Sequence, residues 1–129
     1  MAPSTVSDRY DATPEAAWAL LGDFAGIGQV FTQMTDVSVS GDDRSFTLFG
    51  MRMTERLLAR DEAGRTISYS IIDGVDGIEH HDATISVAPD GDGCKVDWTV
   101  TVLPEAAEPL FTDSYRQALA SLHGTLDPA

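Results

Sequence analysis

The segment RSFTLFGMRMTERLLAR, residues 44–60, decides how the chain is read. On each side of Phe49-Gly50 the residues alternate in character with period two, the pattern of a half-buried strand. A two-residue loop at Phe49-Gly50 makes the segment a hairpin and fixes its register: Leu48 opposes Met51, Phe46 opposes Met53 and Arg44 opposes Glu55. One face of the second strand then carries Met51, Met53, Glu55, Leu57 and Ala59, and the other Arg52, Thr54, Arg56, Leu58 and Arg60. The arginine-bearing face is expected to meet water. Glu55 therefore turns inward among apolar neighbours, where an unpaired carboxylate is costly, and Arg44 is its natural partner.

The same period extends on both sides of this hairpin. Strands are predicted at Thr35–Ser40, Arg44–Phe49, Met51–Arg60, Arg65–Ile72, His80–Ala88 and Cys94–Val102, separated by Gly- and Asp-rich turns. A further strand at Thr5–Tyr10 makes seven, and Asp73–Glu79, with Gly74 and Gly77, is left as one long flexible loop. Thr13-Pro14-Glu15 opens a helix, with Thr13 as N-cap and Pro14 at the first helical position; Ala17, Trp18 and Leu21 form its inner face and Gly22 ends it. After Pro104, Phe111, Tyr115, Ala118, Leu119 and Leu122 recur at helical spacing, and Gly124 is expected to close this final helix. The order predicts an α+β domain in which a curved, seven-stranded antiparallel sheet wraps a long C-terminal helix, with short helices near the N-terminus. A rod laid across a strongly curved sheet cannot fill the whole concave volume, so a cavity is expected between them.

With 129 residues the chain suits a single domain, 1–129, since domains commonly run about 100–150 residues. Lys and Arg number 8 against 21 Asp and Glu, a formal net charge of −13 that repels phosphate and anionic lipid, so no nucleic-acid partner is expected. Met1–Ala12 has no apolar run for a signal peptide, and no apolar stretch approaches the ~20 residues of a membrane span. A cytoplasmic protein, monomer or homodimer, is expected. Cys94 is the only cysteine, Asp90-Gly91-Asp92-Gly93 lacks the remaining ligands of a calcium loop, and no phosphate-binding, zinc or GxSxG motif occurs, so neither metal nor cofactor is expected.

Several segments, in this order, resemble the SRPBCC superfamily, the START-like and birch-pollen-allergen-like group, and within it the bacterial polyketide cyclase/dehydrase and lipid-transport type. They are Ala12-Thr13-Pro14-Glu15-Ala16-Ala17-Trp18, Gly22-Asp23-Phe24, Thr54-Glu55-Arg56-Leu57-Leu58, Ala83-Thr84-Ile85-Ser86-Val87 with Pro89, Trp98 and the last helix. The resemblance covers nearly the whole chain. It implies a helix-grip fold with a hydrophobic pocket between sheet and final helix, a lipid, hormone or aromatic polyketide as ligand, and in some members cyclisation or dehydration. Two departures stand out: Gly28-Gln29-Val30-Phe31 where similar sequences often carry Trp and Pro, and His81 where an aromatic residue such as Tyr is more usual.

Four polar residues are candidates for proton transfer. Glu55 and Arg44 form the inward pair; His81 shares its strand face with Ala83, Ile85 and Val87 and titrates near neutrality; Tyr69 lies on the apolar face of its strand. Each also has a structural reading, as an ion pair or a hydrogen-bonded wall residue. Phe24, Ile27, Phe31, Met34, Phe46, Met51, Met53, Leu57, Trp98, Phe111, Tyr115 and Leu119 are expected to bind a small hydrophobic or aromatic ligand, the methionines adapting to its shape. An anionic head group would need Arg44 or Arg52 nearby. Two functions stay open: cofactor-independent cyclisation, dehydration or isomerisation of a polyketide-like substrate, and carriage of a lipid-like or aromatic ligand without chemistry.

Overall fold

A computed structural model describes residues 2–127. Strands β1 (Ser4–Tyr10), β2 (Thr35–Ser40), β3 (Asp43–Leu48), β4 (Met51–Asp61), β5 (Thr66–Asp73), β6 (His80–Asp90) and β7 (Gly93–Leu103) form one antiparallel sheet in the order β1-β7-β6-β5-β4-β3-β2. Helices α1 (Pro14–Leu21), α2 (Glu108–Ser121) and α3 (His123–Leu126) complete the chain with short 3-10 turns at Ile27–Gln29 and Glu105–Ala107. The segment containing α1 carries the chain from β1 at one sheet edge to β2 at the other, and the meander returns to place β7 beside β1.

Local chemistry explains the joints. Thr13 Oγ1 accepts from Ala16 N–H at 3.2 Å, and Pro14 begins α1 where no N–H is needed. Gly22 ends the helix beneath the Trp18 ring: a Cβ there would fall 2.6 Å from that ring, so only glycine admits the contact. Phe49 and Gly50 both have positive φ, 50° and 79°, as the tight hairpin turn requires. The register across it pairs Leu48 with Met51, Phe46 with Met53 and Arg44 with Glu55, as the alternation predicts.

Two expectations are corrected. The β4–β5 register shifts between Leu57 and Ala59, a bulge that resets the alternation. Arg60, expected on the same face as Arg52 and Arg56, remains exposed but stands opposite Ile67, lays its guanidinium 4.9 Å from the Trp18 ring centroid and donates from Nε to the carbonyl of Gly22 at 2.8 Å, where the end of α1 needs a donor. Nor does Gly124 close the final helix. It lies inside α3, because Leu126 N–H bonds Leu122 O at 2.8 Å and both leucines are buried. His123 fastens this end to β1 through Asp8 Oδ2 at 2.9 Å, while its other ring nitrogen meets Asp127 Oδ2 at 2.5 Å.

The helix sits off-centre on the sheet. Thr112, Tyr115, Ala118 and Leu119 make its buried stripe, which packs on β1 and β7, and the buried Tyr10 hydroxyl donates to Leu119 O at 2.6 Å. Side chains of β6 and β7 fill the space on this half: Ala83, Ile85, Val87, Cys94, Val96, Trp98, Val100 and Val102 are all buried. Removing a side chain as large as Val, Leu or Phe from water stabilises by roughly 1.5–3 kcal/mol, so this half is the firm one. The inner face of β3–β5 is left less covered by the helix.

Candidate functional site

That uncovered half is a cavity. Its wall is formed by Phe46 and Leu48 of β3, Met51, Met53 and Glu55 of β4, Tyr69 and Ile71 of β5, Phe31 and Met34 before β2, Val75 after β5, and Leu110, Phe111, Ser114 and Tyr115 of α2, with Arg44 and Phe49 completing it. Its volume is about 60 Å³, room for a handful of waters. A second cleft of about 100 Å³ shares Phe31, Leu48, Phe49 and Ser114 with the first and adds the neutral polar groups of Thr32, Gln33, Gln117 and Ser121. Phe49 and Leu110 stand at the rim, 63% and 54% exposed.

Polar groups gather in one part of this wall. Arg44, 3% exposed, lies between two rings, its guanidinium carbon 4.0 Å from the centroid of Phe24 and 4.8 Å from that of Tyr69. It donates from Nε to Glu55 Oε1 at 2.9 Å, with Nη2 2.8 Å from the same oxygen in the ion pair, and from Nη1 to the carbonyl of Phe24 at 2.9 Å. Burial pushes the Glu55 carboxyl above its ordinary value, and Arg44 partly offsets this. Trp98 Nε1 donates to the Tyr69 hydroxyl at 3.0 Å, and the Trp98 ring stacks on Tyr115 at 4.3 Å with 7° between planes. Burial holds the phenols of Tyr69 and Tyr115 well above their usual range, so both serve as hydrogen-bonding groups in their neutral form.

Of the residues singled out from the sequence, Arg44, Glu55, Tyr69, Phe31, Met34, Phe46, Met51, Met53, Phe111 and Tyr115 share this wall. Others stand off it. Trp98 lies behind Tyr69 and Tyr115; Ile27 and Leu119 are buried in the packed core; Phe24 reaches the cavity only through Arg44; and Leu57 and Phe24 line a shallow depression beside Arg60. His81 is inward and buried, yet it packs behind the cavity against Phe111 and Tyr69, with ring centroids 4.8 and 6.0 Å away. Arg52 points outward, donating to Asp36 O at 2.6 Å and Ser38 Oγ at 3.2 Å, so Arg44 is the arginine at the cavity.

Sequence reasoning did not find Leu48, Phe49, Ile71, Val75, Leu110 or Ser114. Ile71 was within reach, since it shares a strand face with Tyr69. The loop read as flexible is held at its start: Gly74 lies so close to β4 that a Cβ would fall 2.1 Å from Arg52 O, which sets Val75 on the wall. Among the described residues, no group of three His, Cys, Asp or Glu side chains is placed to hold a metal ion, and no helix is long and apolar enough to cross a membrane.

Comparison with known proteins gives this arrangement a context. Solved structures with the same fold include the protein XoxI from Bacillus cereus, 25% identical with a TM-score of 0.91 over 99% of this chain and 97% of that one. A protein from Thermobifida fusca is 28% identical, with a TM-score of 0.79 over 98% of this chain and 95% of the other. Norcoclaurine synthase from Thalictrum flavum shares the fold at 19% identity, with a TM-score of 0.73 over 94% of this chain and 85% of that one. No curated protein sequence matches the chain. The sequence model for the family described as polyketide cyclase / dehydrase and lipid transport matches residues 1–127, nearly the full length. The chain belongs to that family, within the SRPBCC superfamily of helix-grip proteins.

Proposed function

We propose that the chain binds a small, mostly apolar molecule, aromatic or polyketide-like, in the cavity beside α2, with one hydroxyl or carbonyl group directed at Glu55 and Arg44. The composition of the wall carries this reading: aliphatic, aromatic and thioether side chains surround one buried cluster of polar groups. Such a wall draws in apolar surface and orients it by a few hydrogen bonds. The present volume of about 60 Å³ is well short of the roughly 300–1,000 Å³ of typical ligand pockets, so occupation requires the walls to yield. Met34, Met51 and Met53, with unbranched side chains, and the half-buried Phe111 are the parts able to do so.

Native mass spectrometry of the protein purified from its own host tests this. A retained organic molecule of defined mass is expected on the wild type and is lost from Ile71→Phe, which fills the cavity. Wild-type protein that carries no small molecule and takes up no naphthalene-sized probe contradicts the reading.

One observation favours a second, catalytic reading. The hydrogen bond and the ion-pair contact from Arg44 to the Glu55 carboxyl both fall on Oε1, and burial raises the carboxyl's proton affinity, so Oε2 is suited to exchanging a proton with a bound molecule. For a ketone ligand that step moves a proton from the carbon beside the carbonyl to Glu55 and leaves an enolate, which Tyr115 can stabilise by donating a hydrogen bond. Deuterium exchange into 2-tetralone in D2O measures it. Exchange faster than in buffer and slowed in Glu55→Gln supports catalysis; equal rates in both proteins leave carriage as the function.

A further inference from the structure

Strands β5 and β6 pair from Thr66↔Ser86 to Tyr69↔Ala83 and then separate, while both continue as strands. Past this point His81 supplies two contacts to β5, one of them to the strand's backbone. Its carbonyl accepts from Ser70 Oγ, and its Nδ1 accepts from Ile71 N–H at 3.1 Å. A ring nitrogen that accepts carries no proton, so the proton of the neutral imidazole lies on Nε2. Burial, with a smaller contribution from His80, holds the ring's pKa down at about 4, so the neutral form prevails at ordinary pH.

Nε2 has no hydrogen-bond partner, although His81 is only 3% exposed. A buried donor left unpaired costs roughly 1–3 kcal/mol. The backbone role of the ring accounts for Nδ1 and leaves Nε2 unexplained. Phe111 packs against the imidazole, with centroids 4.8 Å apart, and also bounds the cavity.

We propose that the Nε2–H of His81 is a recognition donor for an acceptor oxygen of the bound molecule, a ketone, lactone or quinone carbonyl, reached when Phe111 changes rotamer and opens the cavity to His81. This rests on the cavity being a binding site and adds a ligand class: the molecule carries a carbonyl acceptor for His81, separate from the group that meets Glu55. His81 is then a residue of specificity, and proton transfer remains with Glu55.

The test compares 2-acetylnaphthalene with 2-ethylnaphthalene by calorimetric titration of the wild type, His81→Asn and His81→Gln, each checked by thermal melting. Asn keeps an acceptor near Ile71 N–H and lacks a donor at the position of Nε2, whereas Gln reaches that position. The affinity ratio of ketone to hydrocarbon is expected to fall roughly three- to ten-fold in His81→Asn, as loss of one neutral hydrogen bond implies, and to recover in His81→Gln. In the wild type, with 15N-labelled histidine, the Nε2 proton is expected to move downfield with the ketone and not with the hydrocarbon, a readout that needs no variant. Both probes binding with an unchanged ratio in His81→Asn, or no downfield movement with the ketone, overturns this inference alone. Failure of both probes to bind the wild type overturns the binding reading and this inference with it.

Discussion

Arg44 meets a single oxygen of Glu55 with two nitrogens, Nε donating at 2.9 Å and Nη2 at 2.8 Å in the ion pair, while Nη1 holds the carbonyl of Phe24 at 2.9 Å. The pair thus joins the hairpin β3–β4 to the segment that follows α1. It also leaves the carboxyl asymmetric, with Oε1 engaged by the arginine and Oε2 outside those bonds.

Breaking this pair from one side should be far worse than removing it whole. Arg44→Met leaves a buried carboxylate without its partner and is expected to cost about 3–5 kcal/mol of stability. The double variant Arg44→Met/Glu55→Leu should come back to within about 1–2 kcal/mol of the wild type, because both desolvated charges are gone. Urea denaturation of the two proteins measures the difference; equal losses in single and double variants would show that the pair is solvated.

Two histidines, His81 buried and His123 paired with carboxylates, should shape the pH dependence in opposite directions. His81 has its folded pKa near 4 against an ordinary 6.5, so the unfolded chain takes up the proton first. Its contribution is complete above pH 6.5 and is lost as pH falls towards 4, on the order of 3 kcal/mol for a shift of this size. His123 is raised by Asp127 and then Asp8, so its contribution is present below pH 6.5 and fades as pH rises through the raised value. That effect is small because the ring is half exposed. Urea titrations at stepped pH should show His81→Gln flattening the acid limb and His123→Asn altering only the region above. An acid slope in His81→Gln equal to the wild type's contradicts the buried neutral ring.

Two glycines of the loop after β5 should respond differently to alanine. Gly74 has φ +97° and its added Cβ would meet Arg52 O at 2.1 Å and Met53 Cα at 2.6 Å, both backbone atoms. Gly77, at φ +83°, has no heavy atom within 4 Å of such a Cβ, so only the left-handed conformation opposes the change, by roughly 1–2 kcal/mol. Gly74→Ala is expected to lose at least about 1 kcal/mol more than Gly77→Ala and to weaken ligand binding through Val75 and Met53. Denaturation midpoints of equal shift would show that the loop is not pressed against β4.

Much of this was legible because short-range rules decided it. The positive-φ turn at Phe49-Gly50 sets the register that brings Arg44 to Glu55, and strict alternation sends His81, Ala83, Ile85 and Val87 inward. What the sequence concealed depends on tertiary packing. A glycine at 124 reads as a stop, yet Leu122 and Leu126, one turn apart and both buried, draw the helix through it. The bulge at Leu58 carries no turn residue, so the move of Arg60 to the Trp18 side of the sheet leaves no sequence signal. Which aromatic residues face free space depends on where α2 lies across the sheet: its lean towards β1 and β7 buries Trp98 and Leu119 and leaves Phe111 and Tyr115 on the wall. Phe49 reads as a turn residue and Leu110 as part of a polar first turn, so neither advertised its place at the rim.

Titration with 2-naphthol, followed through the 13C-methyl resonances of Met34, Met51 and Met53, addresses the cavity most directly. The account predicts that these methyls move together and saturably with one dissociation constant, and that Ile71→Phe, still folded, weakens that constant at least ten-fold. Methyls that stay in place while the probe binds, or an Ile71→Phe protein that binds it as tightly as the wild type, would contradict a ligand site between the sheet and α2.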